Sequence, residues 1–116
     1  MSGIVFFGTA DRERVVSFYR ERLGFVVWRE QDAGCTILQH DDLKLGFCTS
    51  EDVDTEGIVT LYYPTRDAVD GVHAALTDIA DGAPRHNTDY DIYQFFAVDP
   101  DGRTLEFQTF LDEPAE

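Results

Sequence analysis

Lysine is nearly absent from this chain: Lys44 stands alone among 116 residues, and nine basic residues in all face 23 acidic ones. The net charge of −14 argues against nucleic acid and anionic membrane as partners, because phosphates are bound by neutralising them with Lys and Arg. A surface this acidic repels itself unless salt screens it. It is suited to a high-salt cytoplasm, so the charge reports habitat rather than mechanism. Long apolar runs are missing as well. None approaches the roughly 18 residues of a membrane-spanning helix, and no signal-peptide pattern opens the chain, which sets the expectation of a soluble, cytoplasmic protein. Histidine is scarce too. His40 sits beside a turn, His73 flanks a helix stripe, and His86 precedes Asp89 and Asp91 as their exposed partner. They fall on three different elements at no ligand spacing such as HxxxH, so they build no shared metal site.

What is present is one domain's length of chain, enough for a single core. Its organising stretch runs from Phe95 to Phe110. Asp99-Pro100-Asp101-Gly102 is a turn in which Asp99 accepts backbone N–H groups, Pro100 presets φ, and Gly102 takes φ > 0 on the way out. After it, Leu105 and Phe107 alternate with Thr104, Glu106 and Gln108, the period of a half-buried strand. This is a β-hairpin with one carboxylate, Glu106, on the face opposite Leu105 and Phe107.

From the start of the chain, Gly3 to Phe7 reads as a strand. A helix follows, capped by Asp11, striped by Val15, Phe18, Tyr19 and Leu23, and stopped at Gly24. Phe25–Arg29, Gly34–His40 and Leu43–Thr49 read as three further strands, the last two joined by Asp41-Asp42. After the acidic loop Ser50–Glu56 the pattern returns: Gly57-Ile58-Val59 repeats Gly3-Ile4-Val5 at a spacing of 54. Thr65 opens a second helix with the stripe Val69, Val72, Leu76 and Ile79, closed by Asp81-Gly82. A short extended piece after Pro84 and the hairpin complete the order. Each half is a βαβββ module, about residues 3–50 and 57–110, which implies two similar units in one α+β domain.

The run Phe18-Tyr19…Leu23-Gly24-Phe25 resembles the FY…LGF signature of the vicinal-oxygen-chelate superfamily, which includes glyoxalase lyases, extradiol dioxygenases and bleomycin-resistance proteins. Asp99-Pro100-Asp101-Gly102…Leu105-Glu106-Phe107 resembles its DPDG…(I/L)E(L/F) signature. The resemblance spans the whole chain. It implies a curved, cup-shaped mixed sheet with helices outside, and a divalent metal held by four ligands, one on the first and one on the last strand of each module. Carried over by motif spacing, these positions fall at about Ile4, Gly46, Ile58 and Glu106. Glu106 alone can bind a metal, and one carboxylate does not hold a catalytic divalent ion tightly. The expectation is therefore no metal and no cofactor, with Glu106 the one candidate catalytic group. The resemblance also implies a homodimer, a partner that would cover Phe6, Phe7, Phe107 and Phe110 at the module ends; in the competing arrangement, Phe7 and Phe107 are satisfied by their own helices.

The two-residue turn at Asp41-Asp42 pairs residue i with residue 83 − i. Leu38 with Leu45 and Thr36 with Phe47 then form a face for the helices, while Gln39 with Lys44, Ile37 with Gly46 and Cys35 with Cys48 form the other face, which the resemblance implies lines the cup. The cysteines fall at a non-hydrogen-bonded pair, with Cα atoms about 4.5 Å apart, at the short end for a disulfide. In a reducing cytosol two small buried thiols are expected, and no histidine lies near to activate one. The expected pocket is Phe6, Gln39, Lys44, Cys48, Thr60, Tyr62, Tyr93, Glu106 and Gln108, with Phe95 and Trp28 as further candidates. Such a mix of apolar, aromatic and a few polar groups suits a small-molecule ligand and equally a plain core under a curved sheet. Two functional classes follow: a metal-free binding or resistance-type module, and a metal-dependent lyase or dioxygenase whose other ligands lie elsewhere or on a partner chain. A structural or regulatory domain without ligand is the third.

Two measurements check the reading of charge and assembly. The melting temperature should rise from low to molar KCl as salt screens self-repulsion; a flat or falling curve contradicts it. Light scattering in molar salt should report twice the chain mass, and a monomeric mass at all concentrations rules the dimer out.

Overall fold

The computed structural model describes residues 1–111. These residues form two units, Met1–Thr55 with Pro100–Gly102, and Glu56–Asp99 with the chain from Arg103 onward. In the first unit the order is β1 (Val5–Thr9), α1 (Arg12–Leu23), β2 (Val26–Gln31), β3 (Cys35–His40) and β4 (Leu43–Thr49). The second unit repeats it with β5 (Ile58–Tyr62), α2 (Arg66–Ala75), β6 (Arg85–Asn87), β7 (Ile92–Val98) and β8 (Thr104–Phe110). Each module hydrogen-bonds into its own four-stranded sheet, ordered β1-β4-β3-β2 and β5-β8-β7-β6. The first strand of each lies parallel to the last, and the other pairs are antiparallel.

α1 forms where its sequence signals place it. The Asp11 carboxylate accepts the Arg14 N–H at 3.2 Å, and Gly24 takes φ 77 as the left-handed stop. Its apolar stripe, Val15 and Tyr19, packs on β3 and β4, where Thr36, Leu38, Leu45 and Phe47 are buried. The Tyr19 ring meets Phe47 at 4.9 Å and Phe25 edge-on at 5.4 Å. In the second unit Val69 of α2, together with Leu76, joins Val59, Leu61, Phe95, Ala97, Leu105 and Phe107 in a buried core, with Phe95 stacked on Phe107 at 4.9 Å. The β3–β4 register is the one the two-residue turn dictates, with all six pairs summing to 83 and Asp41 at φ 49 making the turn.

Two features depart from the sequence reading, and a third lies outside it. α2 ends at Ala75 rather than at Asp81-Gly82. The chain leaves the helix because Asp81 is needed at the sheet: its N–H donates to the Phe96 carbonyl at 2.8 Å, and its carboxylate accepts the Phe96 N–H at 3.0 Å. Cys35 and Cys48 are joined in a disulfide, with Cα atoms 4.1 Å apart, rather than standing as two thiols. The Thr49 N–H to Gly34 carbonyl bond beside them (3.0 Å) shows why: the cysteines occupy the close, non-hydrogen-bonded position of the ladder, where side chains approach most nearly. Finally, Arg103 is fully buried and pairs with Asp99.

This last pair closes the β7–β8 turn. Asp99 accepts the Arg103 N–H at 2.9 Å and its guanidinium at 2.6 Å, and both side chains are sealed from solvent. Removing one member of a buried pair strands the other charge, at a cost of about 3–5 kcal/mol. An Arg103→Ala variant should therefore lose about 3–5 kcal/mol of unfolding free energy in urea titration. A loss below about 1 kcal/mol, the size of an exposed pair, would show that the turn is held by something else.

Candidate functional site

The β8 alternation sets the site. Leu105 and Phe107 are buried toward α2, which leaves Glu106 and Gln108 on the opposite face of the second sheet. The ladder puts Thr60 of β5 beside Glu106, and Phe96 and Gln94 of β7 opposite Glu106 and Gln108. The short strand β6 adds Asn87 next to Ile92. A chain of hydrogen bonds results. Asn87 donates its amide to Gln94 at 2.8 Å, Gln94 donates to one oxygen of Glu106, and the Thr60 hydroxyl donates to the other at 2.8 Å. This chain floors a hollow of about 560 Å³ walled by Ile58, Ile92, Phe96 and Phe110, with the exposed Arg85, His86 and Tyr90 beside it.

Of the residues expected in a pocket, Glu106 and Gln108 line this hollow and Thr60 is bonded to it. Tyr62 stands at the end of β5, 73% exposed, with its ring against Phe110 at 6.0 Å. Tyr93 and Phe95 are placed differently from the expectation. Tyr93 lies on the α2 side, where its hydroxyl donates to Asp70 at 2.6 Å, and Phe95 is buried between Phe107 and His73. The bond to Asp70, with burial and the Asp70 charge behind it, holds the Tyr93 hydroxyl above its ordinary value. The parity of β7 is fixed by the Val98–Thr104 closure, which the sequence does not display. Ile92, Gln94 and Phe96 were missed for the same reason, whereas Asn87 lies on the three-residue β6 and Phe110 ends β8. Gln94 carried the one signal, a lone amide inside the apolar run Tyr93–Val98.

Phe6, Gln39, Lys44 and Cys48 belong to the first sheet. Phe6 pairs with Gly46 in the parallel ladder, Gln39 pairs with Lys44, and Cys48 is in the disulfide. The Phe6 ring lies so close over Gly46 that a Cβ there would stand 2.3 Å from it. The histidines stay apart: His40 packs on the Phe25 ring at 5.2 Å, His73 on Phe95 at 5.0 Å, and His86 bonds Asp91 at 2.8 Å. His40 is half-buried where an exposed turn residue was expected. Asp81 sits below its ordinary value; burial pushes it up, but the hydrogen bonds from Arg85 and the Phe96 N–H, with the Arg85 charge, outweigh this.

The residues do not fit a divalent metal. Ile4 lies ahead of β1, and Ile58 opens β5 with no donor. In the ladders the partner of Gly46 is Phe6 and the partner of Glu106 is Thr60. No group of three His, Cys, Asp or Glu is arranged to hold an ion among the described residues. Hard cations need several such donors.

No family model matches the chain, and no curated protein matches it in sequence. Solved structures match its fold. A glyoxalase/bleomycin resistance protein/dioxygenase from Nocardioides superposes with a TM-score of 0.80 at 16% identity, covering 100% of this chain and 88% of that one. A family enzyme of the same description from Burkholderia phytofirmans gives 0.78 at 20% identity, covering 93% and 97%. A lactoylglutathione lyase from Agrobacterium tumefaciens gives 0.76 at 13% identity, covering 94% and 92%. The chain thus has the glyoxalase/bleomycin-resistance fold, as its two sequence signatures implied. No helix among the described residues is long and apolar enough to cross a membrane.

Protein purified without chelator should carry no stoichiometric transition metal by elemental analysis. One Zn, Ni, Fe or Mn per chain, lost in Glu106→Gln, would overturn this reading.

Proposed function

We propose that this chain is a small-molecule-binding protein of the glyoxalase/bleomycin-resistance fold, holding its ligand in the hollow of the second sheet without a catalytic metal. The observation that carries the reading is the Asn87–Gln94–Glu106–Thr60 chain of hydrogen bonds. It fixes a carboxylate in an apolar-walled hollow and orients it from both sides. Each carboxylate oxygen has a second lone pair, so Glu106 keeps acceptor capacity toward the hollow. A ligand with an apolar body and an N–H-bearing, cationic end matches that floor, and the net charge of −14 steers cations toward it. The resistance proteins among the structural neighbours fit such a sequestering role. The lyase or dioxygenase alternative lacks support from the donor set. Assembly as a homodimer is part of the same proposal: Phe6 and Phe110 remain exposed while Phe107 is buried, so those two rings are what a second copy would cover.

Benzamidine is a suitable probe, with neutral benzamide as its isostere. Calorimetry should show saturable benzamidine binding and at least about tenfold weaker benzamide binding. Glu106→Gln should weaken benzamidine by about tenfold or more, the size of a hydrogen bond to a charged group. Equal binding of both probes, or an unaffected variant, would show that Glu106 does not read the ligand.

A further inference from the structure

The first sheet carries its own cluster of chemistry, independent of Glu106. Along β2, Val26 pairs with Gln39 and Val27 with Leu38, but the next pair is Arg29 with Ile37. Trp28 is the extra residue of a β-bulge. Such an insertion re-aims a side chain out of the strict alternation, and here it re-aims the chain's one tryptophan. The Arg29 guanidinium lies 4.8 Å from the Trp28 ring centre. The ammonium of Lys44, the sole lysine, comes from β4 two strands away and lies 5.1 Å from it. A ring flanked by two cations has its negative faces engaged electrostatically, and it is still 42% exposed.

The charge context sharpens this. In a chain with 23 acidic and nine basic residues, neither Arg29 nor Lys44 forms an ion pair among the described residues. The acidic neighbours turn elsewhere: Glu30 accepts the Thr36 hydroxyl at 2.9 Å. Ile37, the ladder partner of Arg29, is buried. The result is an apolar, aromatic surface with two unneutralised donors on an otherwise acidic molecule.

We propose that this face, at Trp28, Arg29 and Lys44, is a binding site for a planar aromatic monocarboxylate. The ring of the ligand meets the edge of Trp28 that the two cations leave open, and its carboxylate takes charge-assisted hydrogen bonds from Lys44 and Arg29. A monoanion fits better than a phosphate. A dianion meets twice the repulsion that a monocarboxylate meets from the net charge of −14.

The single tryptophan supplies the readout, since it gives one indole N–H resonance. Titration of the full chain with benzoate in moderate KCl should move that resonance saturably. Benzyl alcohol and acetate, each lacking one half of the recognition, should bind at least about tenfold more weakly. Lys44→Gln and Arg29→Gln should each weaken benzoate by about tenfold, while Lys44→Arg retains most of it. Glu106→Gln should leave the benzoate titration unchanged, so the two sites fail or stand separately. An indole resonance that does not respond to benzoate, responds equally to benzyl alcohol, or keeps its response in both glutamine variants would overturn the proposal. Tighter binding of phenyl phosphate than of benzoate would overturn the assignment of a monocarboxylate.

Discussion

The buried pair of Asp99 and Arg103 fixes where everything on the second sheet points. Its carboxylate binds the backbone and the side chain of the same arginine, and the Asp99 N–H returns to the Arg103 carbonyl at 3.0 Å. That closure leaves one register, with Val98 opposite Thr104, and from it follow Phe96 opposite Glu106 and Gln94 opposite Gln108. A slip of one residue would turn Glu106 into the α2 core and bring Leu105 or Phe107 to the hollow. A buried ion pair is often poor at adding net stability, because desolvation offsets the attraction. Its better role here is to specify: few other residues could hold a four-residue turn closed from inside while leaving Gly102 its positive φ of 86.

Compared position by position, the two modules fill the same place in the ladder in different ways. A spacing of 54 aligns Phe6 with Thr60, and both stand at the same place in a parallel ladder, beside Gly46 and Glu106 respectively. In the first module a ring fills the space that the missing Gly46 side chain leaves. In the second a hydroxyl and an amide bind the carboxylate. One position is filled by a ring, and the other holds its carboxylate with donors. The two solutions differ because an aromatic ring needs volume beside it, whereas a carboxylate in a half-buried hollow needs donors.

Local chemistry made most of the fold legible. Asp11 and Gly24 bound α1, Asp41-Asp42 set the β3–β4 register, and the pattern returning at Gly57 revealed the two modules. The losses came where tertiary contacts decided the outcome. α2 stops early because Asp81 is recruited by Phe96, a partner fifteen residues away. Trp28 had no definable face because a bulge shifts the parity of β2 between Val27 and Arg29. Tyr93 was assigned to the wrong face because the parity of β7 depends on Arg103, whose burial no periodicity reveals. Of the candidate site, Glu106, Gln108 and Thr60 were readable from β8 and β5. Asn87 was not, since β6 has only three residues and carries no strand pattern, and Gln94 was not, since it sits on β7 with the parity that misplaced Tyr93.

The acidic excess also divides on inspection into two populations. Some carboxylates are structural acceptors: Asp11 caps α1, Asp54 takes the Gly8 N–H at 2.7 Å, Asp70 takes the Tyr93 hydroxyl, and Asp81, Asp91 and Asp99 bind Arg85, His86 and Arg103. Others, such as Glu51, Asp52 and Glu56 in the loop 50–56 and Glu13 and Glu21 on α1, are exposed charge. Salt acts on the second population, because repulsion between exposed charges is screened beyond about 10 Å at 0.1 M ionic strength. It acts much less on the first, whose contacts are short. Acid does the reverse for a group such as Asp81. Its value in the folded chain lies below the ordinary 3.8, so its contribution is complete above that value and is lost as pH falls through the lower folded one. Salt and acid therefore probe different carboxylates, and reading the whole net charge as adaptation to salt overlooks those that hold the strands and turns in place.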